Sequence, residues 1–274
     1  MSAEPIIDAW AQLPRRPDQL VPEVRRLLER SGTAAALDSG VQIEMTLAAM
    51  DAAGIERLLL CAWHRPGRSV ISNDDVAEVV ARHPDRFTGV AAVDLERPMR
   101  ALAELDRAVG ELGFKALRVI PWLWNRPPDD RLYYPLYARC VELGIPFCTQ
   151  VGHTGPAMPS EPGRPVPYLD RVALDFPELT IVAGHIGHPW TEEMIGLAWK
   201  HDNVYIDTSA HAPRYYPPAL LRFAASYGAD KVLFGTNYPQ LPLERCAREA
   251  GELQLPDGPR RKFLADNARR VFGL

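Results

Sequence analysis

The sequence predicts an α/β fold: a single (β/α)8 TIM barrel spanning residues 1–274, with an insertion after strand 1 and a C-terminal extra helix. Three observations predict it. Strand-like and helix-like segments alternate from end to end. The strand segments are short and apolar throughout rather than alternating, which is how strands covered on both faces read. A length of 274 residues is ordinary for such a barrel.

Eight strand segments are expected at 5–11, 57–63, 86–93, 115–120, 146–151, 180–184, 204–208 and 231–235, each rich in Val, Ile, Leu or Phe. Amphipathic segments separate them. The helix predicted over 43–53 stops at Gly54, and that over 74–82 is entered through Ser72 and Asn73, a good capping pair. Further helices are expected over 99–112, 134–143, 168–175, 190–199, 218–227 and 243–253. A last one, 260–271, is expected to pack across the outside. The insertion is residues 13–41, with a short helix near 22–29. Residues 155–167 carry Pro156, Pro159, Pro162, Pro165 and Pro167. Proline fixes φ and removes a backbone donor, so a stiff loop is expected there, overhanging the barrel mouth.

An apolar fraction of 47% and a charged fraction of 24% are globular values. The net charge of −4 gives no basic footprint for nucleic acid. Cys61, Cys140, Cys148 and Cys246 form no CxxC pair, so buried free thiols in a reducing compartment are expected rather than a disulfide framework. Cys148, in mid-strand without a basic neighbour, is not read as a nucleophile. No signal peptide and no membrane-length apolar run are read. A soluble, cytoplasmic protein with a small-molecule substrate and neither nucleic acid nor membrane as partner is the expectation.

Five of the seven histidines follow strand segments: His64, His153, His185, His188 and His211. In a closed parallel barrel those positions meet at one mouth, the end that carries chemistry in this fold. His83 and His201 fall at helix ends that lead into strands, hence at the opposite face.

Several phrases, in order, carry a resemblance: Ile6-Ile7-Asp8, Gly113 to Arg118, Leu143 to Pro146 running on to His153-Thr154-Gly155, Gly184-His185-Ile186-Gly187, Val204 to Ser209, and Leu233 to Pro239. Together they resemble the amidohydrolase superfamily, in its branch of metal-dependent barrel hydrolases and decarboxylases typified by aminocarboxymuconate-semialdehyde decarboxylase. The resemblance implies the same barrel. It also implies a metal held by a His-x-His pair ending the first strand, a His ending the fifth and an Asp ending the eighth, with a His ending the sixth in catalysis or metal binding. Here the first-strand positions read Trp10-Ala11-Gln12 and the eighth-strand position is Asn237. Only His153 and His185 match, so the metal motifs are degenerate. An amide carries no charge and takes no proton at neutral pH, which excludes carboxylate-assisted attack of water from position 237.

Two readings of the site stay open. In one, His64, His153 and His185 hold a divalent ion, most naturally zinc, since three protein ligands and an open position suffice. His185 or His211 then carries protons and Asn237 assists. In the other, the histidines bond one another, Asp207, Ser209 or Asn237 in a metal-free polar pocket. Arg118 is a candidate receptor for a substrate carboxylate, or else pairs with an internal acid. Trp10 and Trp122 are candidate walls for a flat or apolar ligand, and Asp8 lies near the first strand's end. The function expected is an amidohydrolase-superfamily hydrolase or carbon–carbon lyase acting on a small carboxylate or carbonyl compound. The alternatives are a catalytically degenerate subunit partnering an intact paralogue and a small-molecule binder. Since such barrels associate, a homo-oligomer or a hetero-oligomer with a paralogous subunit is expected.

Overall fold

A computed structural model describes residues 4–15, 19–20 and 22–274. Ten strands are present among them: β1 Ile6–Ala11, β2 Ile55–Cys61, β3 Trp63–Arg65, β4 Arg68–Ile71, β5 Phe87–Ala91, β6 Ala116–Val119, β7 Phe147–Gln150, β8 Ile181–Gly184, β9 Val204–Asp207 and β10 Val232–Leu233. Eight of them form one sheet in the order β1-β2-β5-β6-β7-β8-β9-β10, every neighbouring pair parallel. Backbone bonds then close the sheet on itself. Ala9 N donates to Phe234 O at 2.9 Å, Asn237 N to Trp10 O at 2.8 Å and Gln12 N to Tyr238 O at 2.9 Å. The eight-stranded α/β barrel expected from the apolar runs is the observed architecture.

Alternation along the strands sorts the core into two layers. Ile7, Ala9, Leu59, Cys61, Val90, Ala116, Cys148, Val182 and Leu233 form the inner cluster, while their neighbours Leu58, Leu60, Leu117, Phe147, Ile181 and Ile206 pack outward against the helices. Branched and small side chains mix inside and fill the narrow lumen that eight strands leave. All four cysteines are free and buried. Of the expected capping pair only Ser72 caps: it forms a reciprocal box with Asp75 at the start of helix Asn73–Arg82, while the Asn73 amide bonds Ala92 O and Glu104 instead. His83 ends that helix, and His201, at the end of helix Thr191–Lys200, bonds Asp170 at 2.7 Å. Both belong to the helix-to-strand side, as the sequence predicts.

Three local features differ from expectation. The chain leaving β2 does not pass straight into a helix but forms an antiparallel hairpin, β3–β4. A helical turn that no predicted element covers, Pro121–Trp124, follows β6. The C-terminal segment does more than cross the outside: Ala265, Ala268 and Phe272 join the barrel's inner cluster. The insertion contains helices Pro22–Ser31 and Ala34–Asp38, and residues 16–18 and 21 of it lie outside the described residues. Among the described residues, no helix is long and apolar enough to cross a membrane.

Candidate active site

A cavity of about 190 Å³ opens at the carboxyl ends of the barrel strands. Its polar lining is Gln12, Arg118, Gln150, His153, His185 and His211, with Asn237 and Gln240 beside them and Arg15, paired with Asp75 at 2.7 Å, at its wall. Its apolar wall is Trp10, Trp63 and Trp122, roofed by Val24, Leu27 and Leu28 of helix Pro22–Ser31 and by Gly155 and Pro156 of the proline-rich loop. His153, His185, His211, Asn237, Arg118, Trp10 and Trp122 are thus brought together, as the strand-end argument predicts.

His64 is not. It sits on the β3–β4 hairpin, its ring stacked on Trp124 with centroids 6.0 Å apart and planes 10° apart. Its placement as a metal ligand beside His153 and His185 is therefore corrected: hairpin pairing turns it away from the cavity after β2 ends. His188 also stays outside. It lines a surface groove with Pro189, Thr191 and Glu192, although its ring lies 5.2 Å from that of His153 and 5.6 Å from that of His211.

Arg118 follows Ala116 on the inward side of β6 and is 2% exposed. Its Nη1 donates to Gln12 Oε1 at 3.3 Å and its Nη2 to Ala62 O at 3.1 Å, while Nε has no partner. Its guanidinium carbon stands 5.0 Å from the centroid of the Trp10 ring. No described carboxylate bonds it directly, and the internal acid Asp207 acts on it only through space. A guanidinium only donates, and this fixes the orientation of the amides beyond it. Gln12 must present Oε1 to Arg118, so its Nε2 donates to Asn237 Oδ1 at 3.0 Å. Asn237 Nδ2 then donates to Gln240 Oε1 at 2.6 Å. Gln12, which the sequence shows merely as a lost ligand, is the hinge of this chain.

A second chain starts from the seventh barrel strand. Asp207, at the end of β9, accepts from both the amide and the hydroxyl of Ser209, and Ser209 Oγ lies 2.7 Å from His185 Nδ1. When Asp207 is ionised, above about pH 7, the Ser209 hydroxyl donates to the carboxylate, so His185 Nδ1 donates to Ser209 and Nε2 keeps its lone pair. Burial pushes Asp207 up to about 7. Burial, then His211 and Arg118, holds His185 well below the usual imidazole range, and burial with His188 lowers His211 to about 4. Both rings are neutral at pH 7. Cys148 is pushed up by burial, consistent with no nucleophilic role.

Asp8 does not reach the cavity. It binds the amides of Trp10 and Thr236 at 3.0 Å and the Thr236 hydroxyl, clasping the first strand to the eighth. His185, Ala210 and Asn237 all have φ between 63° and 72° and all line the cavity. Such left-handed backbone in non-glycine residues is costly and gathers at functional sites.

A closed parallel barrel with convergent polar groups at the carboxyl ends of its strands is the architecture of TIM-barrel enzymes. Residues 7–274 match the amidohydrolase family, and the chain belongs to that enzyme family, in which metal dependence is typical. Gamma-resorcylate decarboxylase of Rhizobium radiobacter is 27% identical, over 82% of this chain and 85% of that protein. Among solved structures, an uncharacterized TIM-barrel protein of Bordetella bronchiseptica has a TM-score of 0.86 and 29% identity, covering 98% of each chain. A 5-carboxyvanillate decarboxylase of Novosphingobium aromaticivorans, complexed with manganese, has a TM-score of 0.75 and 19% identity over 99% of this chain and 97% of that one.

The donors of this chain do not fit such an ion. Trp10 offers no lone pair, both ends of the Gln12 and Asn237 amides are engaged, and this leaves the histidines as the remaining donors of the mouth. Among the described residues, no three His, Cys, Asp or Glu side chains are grouped to hold a metal.

Proposed function

We propose that this chain is a carbon–carbon lyase of the amidohydrolase family that decarboxylates a small hydroxylated aromatic carboxylate. The observation that carries the reading is the cavity itself: indole walls for a flat ring, one buried guanidinium with no carboxylate in direct contact among the described residues, and the His185 and His211 imidazoles held neutral. The gamma-resorcylate decarboxylases among its relatives support the substrate class.

In this reading Arg118 anchors the carboxylate and the indoles hold the ring. His185 Nε2, a free base, takes the proton of a hydroxyl ortho to the carboxylate. The burial that lowers the affinity of His185 for protons makes its conjugate acid strong, and it hands the proton to the ring carbon bearing the carboxylate. That carbon–carbon bond then breaks and carbon dioxide leaves. The electron pair restores the aromatic ring, the charge falls on the ortho oxygen, and water returns a proton to it, the hydroxide left behind combining with the carbon dioxide as bicarbonate. One proton replaces one carbon dioxide.

The test is to incubate the purified protein with gamma-resorcylate (2,6-dihydroxybenzoate) and simple 2-hydroxybenzoates and to follow the decarboxylated phenol by chromatography. A second reading is favoured by the lost ligand positions Trp10 and Asn237: a degenerate subunit that partners an intact paralogue. No turnover alone, but a stable complex with a paralogue that raises the paralogue's turnover, would establish that reading instead.

A further inference from the structure

We infer that the Arg118 guanidinium, stacked on Trp10, replaces a divalent metal as the cationic centre of this cavity, so that a carboxylate ligand is bound without metal. The inference rests on the proposed function for the class of ligand alone.

Three independent features of the barrel interior lead to it. The first is a buried cation with no carboxylate in direct contact among the described residues: Arg118 is 2% exposed, bonded to neutral oxygens of Gln12 and Ala62, with Nε unpartnered, and Asp207 acts on it only from beyond ion-pair distance. A buried charge in this state is costly unless something compensates it. A ligand carboxylate, able to accept two parallel N–H bonds, is the natural compensation. The second is that the indole is built in. At Gly184, the end of β8, a Cβ would come within 2.7 Å of Trp10 Cζ3, so the sixth barrel strand is shaped around the Trp10 ring. That ring lies between Arg118, at 5.0 Å, and His185, at 5.3 Å. Its face attracts the guanidinium and holds it toward the mouth. The third is the direction of the amide chain. Gln12 and Asn237, which stand where the family resemblance places metal ligands, are oriented by Arg118 and donate onward to Gln240.

The amide at position 237 follows from the same electrostatics. An aspartate there would lie one glutamine away from Arg118, would lose the bond donated to Gln240, and would compete with an anionic ligand for the same cation. A dication brought into the cavity would meet the fixed positive charge of Arg118 instead of a carboxylate.

The experiment uses the full-length protein and sodium benzoate as probe. Metal content is measured by elemental analysis as purified and after incubation with Mn2+ or Zn2+ and desalting. Benzoate binding is measured by calorimetry with EDTA and with Mn2+. Substoichiometric metal and benzoate affinity indifferent to EDTA and Mn2+ are expected. Arg118→Gln should weaken benzoate by about tenfold or more, the loss of a charged hydrogen bond, with Arg118→Lys intermediate. Asn237→Asp should also weaken it. Tightly held stoichiometric metal, benzoate binding abolished by EDTA, or a wild-type protein that binds no benzoate at millimolar concentration overturns the inference. The metal and EDTA measurements need no variant, so a misfolded Arg118→Gln protein does not obscure the result. Metal-independent, Arg118-dependent benzoate binding without release of carbon dioxide from any hydroxybenzoate would sustain the inference while rejecting the decarboxylase reading.

Discussion

The guanidinium carbon of Arg118 lies 5.0 Å from the centre of the Trp10 ring, and both residues are buried. They come from the fourth and first strands of the barrel. The pair puts a positive charge and a flat apolar surface side by side in the cavity.

Trp10→Ala should cost stability by about 3–5 kcal/mol, the range for deleting a large buried aromatic, measured by urea unfolding. The same variant should weaken benzoate binding, because the guanidinium loses the ring that positions it.

Gly184→Ala should destabilise by about 1–3 kcal/mol through overpacking, since the added methyl meets Trp10. Trp10→Phe should recover part of that loss in the double variant. Additive effects in a double-mutant cycle would show that residues 10 and 184 do not share the space.

Restoring Trp10→His and Gln12→His together with Asn237→Asp should create metal binding that Asn237→Asp alone does not. Elemental analysis after desalting reads the difference. Equal metal in the single and triple variants would mean that other residues are the ligands.

Ser209→Ala should break the link from Asp207 to His185. Turnover should fall by about tenfold, less than the two to four powers of ten expected for removing a general base outright. Steady-state kinetics should show the loss in kcat with KM unchanged, together with a shifted pH profile. A change confined to KM would contradict a positioning role for Ser209.

Stability should depend on pH through two opposed groups. His211 moves from 6.5 to about 4 on folding, with burial as the main cause. The unfolded chain therefore binds more protons between those values, and this contribution is present above pH 6.5 and lost as pH falls toward 4. Asp207 moves from 3.8 to about 7, again through burial. Its contribution is present below pH 3.8 and lost as pH rises through 7. Urea unfolding from pH 4 to 8 should show His211→Gln flattening the rise of stability with pH on the acid side, and Asp207→Asn removing a fall toward neutrality.

The sequence by itself determined the barrel and its mouth. Apolar runs without alternation can bury both faces only in a parallel sheet covered by helices, and closing eight of them leaves little choice about which end of each strand faces which way. Hence His153, His185, His211, Arg118, Trp10, Trp122 and Asn237 were all legible as neighbours of one cavity. Also legible was the loss of the first-strand pair and of the eighth-strand acid. What tertiary structure decided is every pairing across the barrel. The bond from Arg118 to Gln12 joins residues 106 apart and that from Gln12 to Asn237 residues 225 apart. No local pattern encodes a contact at such separation, because it depends on the register and twist with which the strands close. The same holds for the His185–Ser209 bond and for the fit of the Trp10 ring against Gly184. His64 shows the converse. Its place after an apolar run looks like that of His153, yet the chain beyond the last ladder bond is free to turn either way, and the β3–β4 hairpin carries it to Trp124.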